Sequence, residues 1–263
     1  MLSVQVVVSG NASGNIGWHD GDGLPREMKT RLLLLAAARS CGSLQQHRWR
    51  TVPLGAETLR DGAEALTSGA AVFLLSEVAT EEECSIIATA CSRAAARRDG
   101  EPSSGLLRLS TSRAVATEHA TAAPRAADDV VCRRVLPRVC ALVDERLPSL
   151  FGGRLARLYD DDGLEFACRE PAVNVYGAGD EFLGHEDGKT LTVLLPVSES
   201  FAGGGTGFWS QDSRGHRAEP PTVSLRPAAG DAMLFGGRVT HAGLPVESGE
   251  RVVVVASFSR RRP

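Results

Sequence analysis

The sequence has no C-x-x-C pair of cysteines, no long apolar run and no excess of positive charge. Its cysteines stand at positions 41, 84, 91, 132, 140 and 168, a spacing that excludes the common zinc and dithiol patterns. Cys84 and Cys91 are spaced like residues of one buried helical stripe, as are Cys132 and Cys140. Reduced core thiols of this kind favour a cytoplasmic location.

The apolar runs and the charge of the chain indicate neither a membrane nor a nucleic-acid partner. The longest apolar run before residue 70, Leu32 to Ala38, is far shorter than the roughly 18 residues of a membrane span. A start at Met28 would make this region similar to a short signal peptide, but Arg39 ends the run. The formal charge of -3 provides no basic field for nucleic acid.

The chain of 263 residues has room for one domain and a preceding segment. Residues 1–69 show no core periodicity apart from a helical segment at 25–39, so we predict a partly flexible leader of unknown role. Residues 1 to about 60 are predicted to be dispensable for the fold. Residues 70–263 are predicted to form the folded domain.

Residues 70–151 alternate strand, helix and loop patterns. An apolar strand at 70–75 precedes the capping-box pattern of Thr80 and Glu83, which predicts a helix over 81–96. Residues 98–127 indicate either interrupted strands or one mobile loop, with His119 at the surface. A second helix is predicted over 128–147, with an irregularity at Pro137.

After Phe151 the period changes to short β-type runs separated by Gly, Pro and Asp. The candidate strands are 172–176, 190–197, 206–210, 222–225, 232–235 and 251–258. The last is apolar on both faces after its first residue, which predicts a central strand. The fold class is therefore mainly β with flanking helices: a double-stranded β-helix, or jelly roll, with helices packed on one sheet.

His185 and Asp187, a histidine and a carboxylate two residues apart, are the first candidate metal ligands of the sequence. On an extended chain they face the same side, and Glu186 turns away. Alone, such a pair is weak evidence and is usually a surface feature. His241 offers a third ligand, and two histidines with one carboxylate are the ligand set of non-haem Fe(II) oxygenases.

The order of these elements resembles that of the 2-oxoglutarate and Fe(II)-dependent dioxygenases, and within them the prolyl 4-hydroxylase-like catalytic domain. The most specific part is Tyr-x-x-Gly-x-x-Phe-x-x-His-x-Asp, matched by Tyr176, Gly179, Phe182, His185 and Asp187. Three further motifs follow at residues 201–208, 227–235 and 241–251.

The resemblance implies a role for each matching residue. His185, Asp187 and His241 would bind Fe(II), and Arg251 would bind the distal carboxylate of the cosubstrate 2-oxoglutarate, for which a permanently charged fork is suited. Tyr176 would contribute to the cosubstrate site or line the substrate pocket. Relatives often carry a tyrosine at the end of the next strand, where this chain has Leu194, Leu195 and Pro196.

The implied activity is hydroxylation of a C–H bond in a peptidyl residue, as in prolyl 4-hydroxylases, or in a small metabolite. Dioxygen is consumed, succinate and CO2 are released, and ascorbate is an optional reductant. Asp187 argues against a halogenase, in which a small residue replaces the carboxylate, and Ser257 argues against the nucleic-acid demethylases. The alternative is a catalytically silent jelly-roll binding module.

Overall fold

The computed structural model describes residues 48–55, 62–96, 106–114, 120–210 and 220–262. The chain divides into two units, residues 1–46 and 47–263, and the second contains all of these ranges. The helix predicted at 25–39 and His119 lie outside the described residues. No helix in the described ranges has the length and apolar character needed to cross a membrane.

Short strands form most of the regular structure. They are β1 (Trp49–Pro53), β2 (Ala71–Leu75), β3 (Leu107–Ser110), β4 (Thr121–Ala122), β5 (Leu164–Phe166), β6 (Ala172–Tyr176), β7 (Phe182–His185), β8 (Leu191–Pro196), β9 (Phe201–Gly203), β10 (Thr206–Phe208), β11 (Val223–Leu225), β12 (Ala232–Phe235), β13 (His241–Gly243), β14 (Val246–Gly249) and β15 (Arg251–Arg260). The helices are α1 (Gly62–Ser68), α2 (Glu81–Ala96), α3 (Arg125–Val130), a π-helical turn (Val131–Val135), α4 (Leu136–Arg146), α5 (Pro148–Phe151) and α6 (Leu155–Asp160).

Two sheets carry the site. The larger has the strand order β1-β2-β12-β8-β15-β6-β3-β4, with β5 also paired to β15, and the smaller has the order β11-β10-β13-β7. Strand β15 lies between β6 and β8, where Val253 is the partner of both Asn174 and Pro196. The central position predicted for this strand is confirmed.

Successive side chains of β15 point alternately into two apolar layers, one on each face of the sheet. Val252, Val254 and Ala256 belong to a core that includes residues of α2 and α4, whereas Val253 and Val255 pack in a second core with side chains of the smaller sheet. Because side chains alternate along a strand, one apolar run serves both layers. The predicted jelly roll with helices on one sheet is confirmed.

The helices begin and end near their predicted limits. Glu83 N donates to Thr80 Oγ1 at 3.2 Å, and Thr80 N donates to Glu83 Oε2 at 3.0 Å, which is the predicted capping box. Glu83 also pairs with Arg138 at 2.8 Å, which links α2 to α4. The second helical region begins at Arg125, and its irregularity is the π-helical turn just before Pro137.

The domain boundary predicted after residue 69 is too late. Strand β1 pairs with β2 along its whole length, from Trp49 opposite Leu75 to Pro53 opposite Ala71. Leu54 and, in α1, Leu66 are at most 1% exposed. The sequence analysis missed these elements because β1 is an edge strand with few apolar positions, and α1 is too short to show a period.

Candidate metal and cosubstrate site

The two predicted histidine ligands meet through strand pairing. His185 ends β7, His241 begins β13, and the two are register partners in the smaller sheet. Their ring centroids lie 4.3 Å apart. The Asp187 carboxylate approaches both: Oδ1 lies 3.3 Å from His185 Nε2, and Oδ2 lies 3.6 Å from His241 Nε2. One potential ligand atom from each residue therefore lies within 4.8 Å of the others.

Backbone carbonyls orient both imidazoles. His185 Nδ1 lies 2.9 Å from the carbonyl oxygen of Leu183, and His241 Nδ1 lies 3.1 Å from that of Val239. A carbonyl can only accept, so the proton of each neutral ring is on Nδ1 and the lone pair of Nε2 faces Asp187. This is the tautomer that binds a metal through Nε2.

Burial and local hydrogen bonds set the charges of the three groups. Burial lowers the pKa of His241 to about 4, so this ring is neutral at pH 7. Burial opposes ionisation of Asp187, but a hydrogen bond from the protonated His185 ring, the positive charge of a protonated His241 and the hydrogen bond from Thr192 outweigh it and hold the pKa of Asp187 far below its usual range. For His185, burial favours the neutral form, but only the imidazolium form can donate from Nε2 to Asp187, and that hydrogen bond raises the pKa of His185. Neutral His241 and ionised Asp187 are in the protonation states that bind metal.

Arg251 is a buried cation without a carboxylate partner. It begins β15 and is 3% exposed. Its Nη2 donates to Thr206 Oγ1 at 3.0 Å. Within the described ranges no carboxylate lies within 4 Å of this guanidinium. Burial lowers its pKa. Because an unpaired buried charge is costly, this arrangement fits an anionic ligand.

Tyr176 lies directly beside Arg251. The two are register partners on β6 and β15, and the Arg251 Cζ lies 5.1 Å from the centre of the tyrosine ring. Asn174 Nδ2 donates to the Tyr176 hydroxyl at 3.5 Å. Opposite, Gly243 keeps the space open, because a Cβ there would lie 3.1 Å from the Tyr176 hydroxyl oxygen.

A second polar group, which was not predicted from the sequence, lies in the same cavity. Arg108 Nε donates to Asn174 Oδ1 at 3.0 Å, and Arg108 Nη1 lies 3.3 Å from Glu170 Oε1. Glu170 Oε2 accepts from Ser257 N at 2.6 Å. Burial raises the pKa of Glu170, and the Arg108 charge opposes that shift. A polar residue inside an apolar strand, such as Asn174 in β6, was the signal that could have located this group.

One cavity between the two sheets contains all of these groups. Its lining residues include the following: Arg108, Glu170, Asn174, Tyr176, Phe182, His185, Asp187, Thr206, His241 and Arg251. Three candidate metal ligands, an arginine without a carboxylate partner and the polar groups of Arg108, Glu170 and Asn174 therefore share one cavity.

The family comparison covers the part of the chain that contains the ligand set. Residues 171–259 match the family model described as the 2OG-Fe(II) oxygenase superfamily. This segment is similar to that superfamily. The expectation of a 2-oxoglutarate-dependent oxidoreductase with Fe(II) as its metal is confirmed at the level of this family. Arg108 and Glu170 lie outside the matched segment.

Solved structures with a similar arrangement include two prolyl hydroxylases. The viral collagen prolyl hydroxylase of Paramecium Bursaria Chlorella virus-1, in complex with 2OG, is 16% identical with a TM-score of 0.48, over 73% of this chain and 96% of that one. A Pseudomonas putida prolyl-4-hydroxylase is 18% identical with a TM-score of 0.42, over 84% and 96%. The epimerase SnoN from nogalamycin biosynthesis is 18% identical with a TM-score of 0.44, over 74% and 81%. A search of the curated proteins finds no match for this chain.

Proposed function

We propose that this chain is a dioxygenase that hydroxylates a C–H bond of a peptidyl residue or a small metabolite and converts 2-oxoglutarate to succinate and CO2. The observation that carries the proposal is Arg251, a buried arginine without a carboxylate partner, in the same cavity as two histidines and an aspartate.

His185, Asp187 and His241 would hold Fe(II). The donor set fits, because two imidazole nitrogens and one carboxylate leave further coordination positions open for ligands. When bound, Fe(II) and 2-oxoglutarate supply the activation of dioxygen, while the protein supplies position and a site shielded from water.

Arg251 and Thr206 would hold the distal carboxylate of 2-oxoglutarate. The guanidinium provides paired donors to a carboxylate, and its burial strengthens that interaction. Tyr176 would also contact the cosubstrate, a role that its position beside the same guanidinium supports.

Arg108 would face the substrate. Its salt bridge to Glu170 compensates its charge, and its hydrogen bond to Asn174 fixes its direction, so its remaining N–H groups suit neutral acceptors such as peptide or other carbonyl oxygens. This favours a peptidyl residue or an oxygenated small molecule over a strongly anionic substrate.

Succinate release tests the proposal. Purified protein would be incubated with Fe(II), 2-oxoglutarate and ascorbate, first without substrate and then with proline-containing peptides and a panel of oxygenated metabolites. Release above that of the His241→Ala variant is expected, with stimulation by the correct class. Release no higher than that of the variant under every condition would favour the silent binding module.

A further inference from the structure

Asp187 has a hydroxyl partner that is completely buried. Thr192 Oγ1 lies 2.5 Å from Asp187 Oδ2, and Thr192 is 0% exposed. Thr192 lies on β8, on the face of the larger sheet that lines the site, five residues after Asp187. A short hydrogen bond to a mostly buried carboxylate is strong and directional.

A second buried hydroxyl fixes the direction of that bond. Ser257 Oγ lies 3.2 Å from Thr192 Oγ1, and Ser257 is also 0% exposed. The ionised carboxylate can only accept, so the single proton of Thr192 goes to Asp187, and Ser257 donates to the oxygen of Thr192. The two residues are register partners on β8 and β15, so the sheet itself holds them together.

We propose that Thr192 is a positioning residue that keeps Asp187 a ligand through one oxygen. One oxygen, Oδ2, is engaged by the threonine, which leaves Oδ1 beside His185 Nε2 at 3.3 Å for the metal. Atoms that bind a first-row metal at about 2.1 Å and at right angles are about 3 Å apart. A carboxylate that bound through both oxygens would occupy a position that a chelating cosubstrate and dioxygen need. This inference rests on the proposed function.

The chain contains its own matched control. Thr190 and Ser259 form a second threonine–serine pair between the same two segments, with Oγ atoms 3.1 Å apart. Neither has a hydrogen bond to Asp187 within the part of the chain that the structure describes. Thr190→Val therefore removes the same atom from the same side-chain type without changing the metal ligand.

Metal affinity, measured with Mn(II) as an inert probe in the absence of turnover, is the readout. Thr192→Val should weaken Mn(II) binding about 10- to 100-fold, the usual cost of losing the group that orients a metal ligand. Thr192→Ser should restore affinity to near wild type, and Thr190→Val should leave it unchanged. The absorption band formed with Fe(II) and 2-oxoglutarate should shift in Thr192→Val alone. Wild-type affinity in Thr192→Val, or an equal loss in Thr190→Val, would overturn the proposal.

Two outcomes separate this inference from the proposed function. If the wild-type protein binds no Mn(II), the metal site itself is contradicted. If the wild-type protein binds Mn(II) and Thr192→Val binds it equally tightly, only the role of Thr192 is contradicted. If Thr192→Val does not fold, as shown by the absence of a cooperative thermal transition, Ser257→Ala is tested in its place. Ser259→Ala is then the control variant. Ser257→Ala should then weaken Mn(II) binding more than Ser259→Ala, and equal affinities would overturn the role of Thr192.

Discussion

Arg251 and Tyr176 are cross-strand partners, and the guanidinium carbon lies 5.1 Å from the centre of the tyrosine ring. The ring covers one side of a cation that is 3% exposed. This pair forms the end of the cavity at which an anion is needed, while His185 and His241 form the part that can hold a metal.

Replacing His241 should abolish metal binding. This ring is neutral at pH 7, because burial lowers its pKa to about 4, and its Nε2 faces Asp187. His241→Ala is therefore expected to hold no Fe(II) equivalent and to show no absorption change with 2-oxoglutarate. Glu186→Gln is the control, since this side chain lies 3.3 Å from Thr240 Oγ1 rather than at the ligand set. One equivalent of iron retained in His241→Ala would show that the ligand assignment is wrong.

Replacing Arg251 should weaken cosubstrate binding and leave the metal in place. Arg251→Gln is expected to raise the KM for 2-oxoglutarate about ten- to a hundredfold, because a charge-assisted hydrogen bond to a carboxylate contributes about 1.5–3 kcal/mol. Steady-state kinetics measures the constant, and metal analysis checks iron occupancy. The Tm of the metal-free variant should not fall, because the change removes an unpaired buried charge. An unchanged KM would show that a residue other than Arg251 binds the carboxylate of 2-oxoglutarate.

Tyr176→Phe decides between the two roles left open for this residue. Within the described residues no acceptor lies within hydrogen-bond distance of the tyrosine proton, although the hydroxyl oxygen accepts from Asn174 at 3.5 Å. That proton is available to a bound carboxylate, so the variant should raise the KM for 2-oxoglutarate about two- to tenfold. The KM for the substrate should not change. A change in the substrate constant alone would place Tyr176 on the substrate side.

Truncation should show where the folded unit begins. A chain starting at Arg48 is expected to melt like the full-length protein, whereas one starting at Leu59 loses β1 and Leu54. The loss of stability should be large, because Leu54 is 1% exposed and the ring centroids of Trp49 and Phe73 lie 5.3 Å apart. Removing one such buried leucine costs about 2–5 kcal/mol, and 1 kcal/mol lowers the Tm by about 2–4 °C at this size. Equal melting temperatures would show that β1 is dispensable.

The sequence predicted the residues that lie in local motifs better than those that meet through the sheets. His185 and Asp187 are two residues apart, so their shared direction follows from the chain itself. Arg108 and Glu170 reach the cavity, and Thr192 reaches Asp187, from separate segments, and no local spacing connects them. Only the register of β3, β6, β8 and β15 brings them together. Strand β1 was missed for a related reason, because an edge strand with polar positions has no period distinct from a loop.

The family-matched segment starts at residue 171, so the chemistry and the polar wall of the cavity have separate origins in the chain. His185, Asp187, His241 and Arg251 lie inside that segment, whereas Arg108 and Glu170 precede it. Under the proposed substrate-facing role of Arg108, mutations before residue 171 should alter the choice of substrate and leave the proposed metal ligands in place. On the same proposal, two proteins alike over residues 171–259 should differ in substrate when they differ at positions 108 and 170. Relatives that retain an arginine and a glutamate there would then be the best guides to the substrate of this chain.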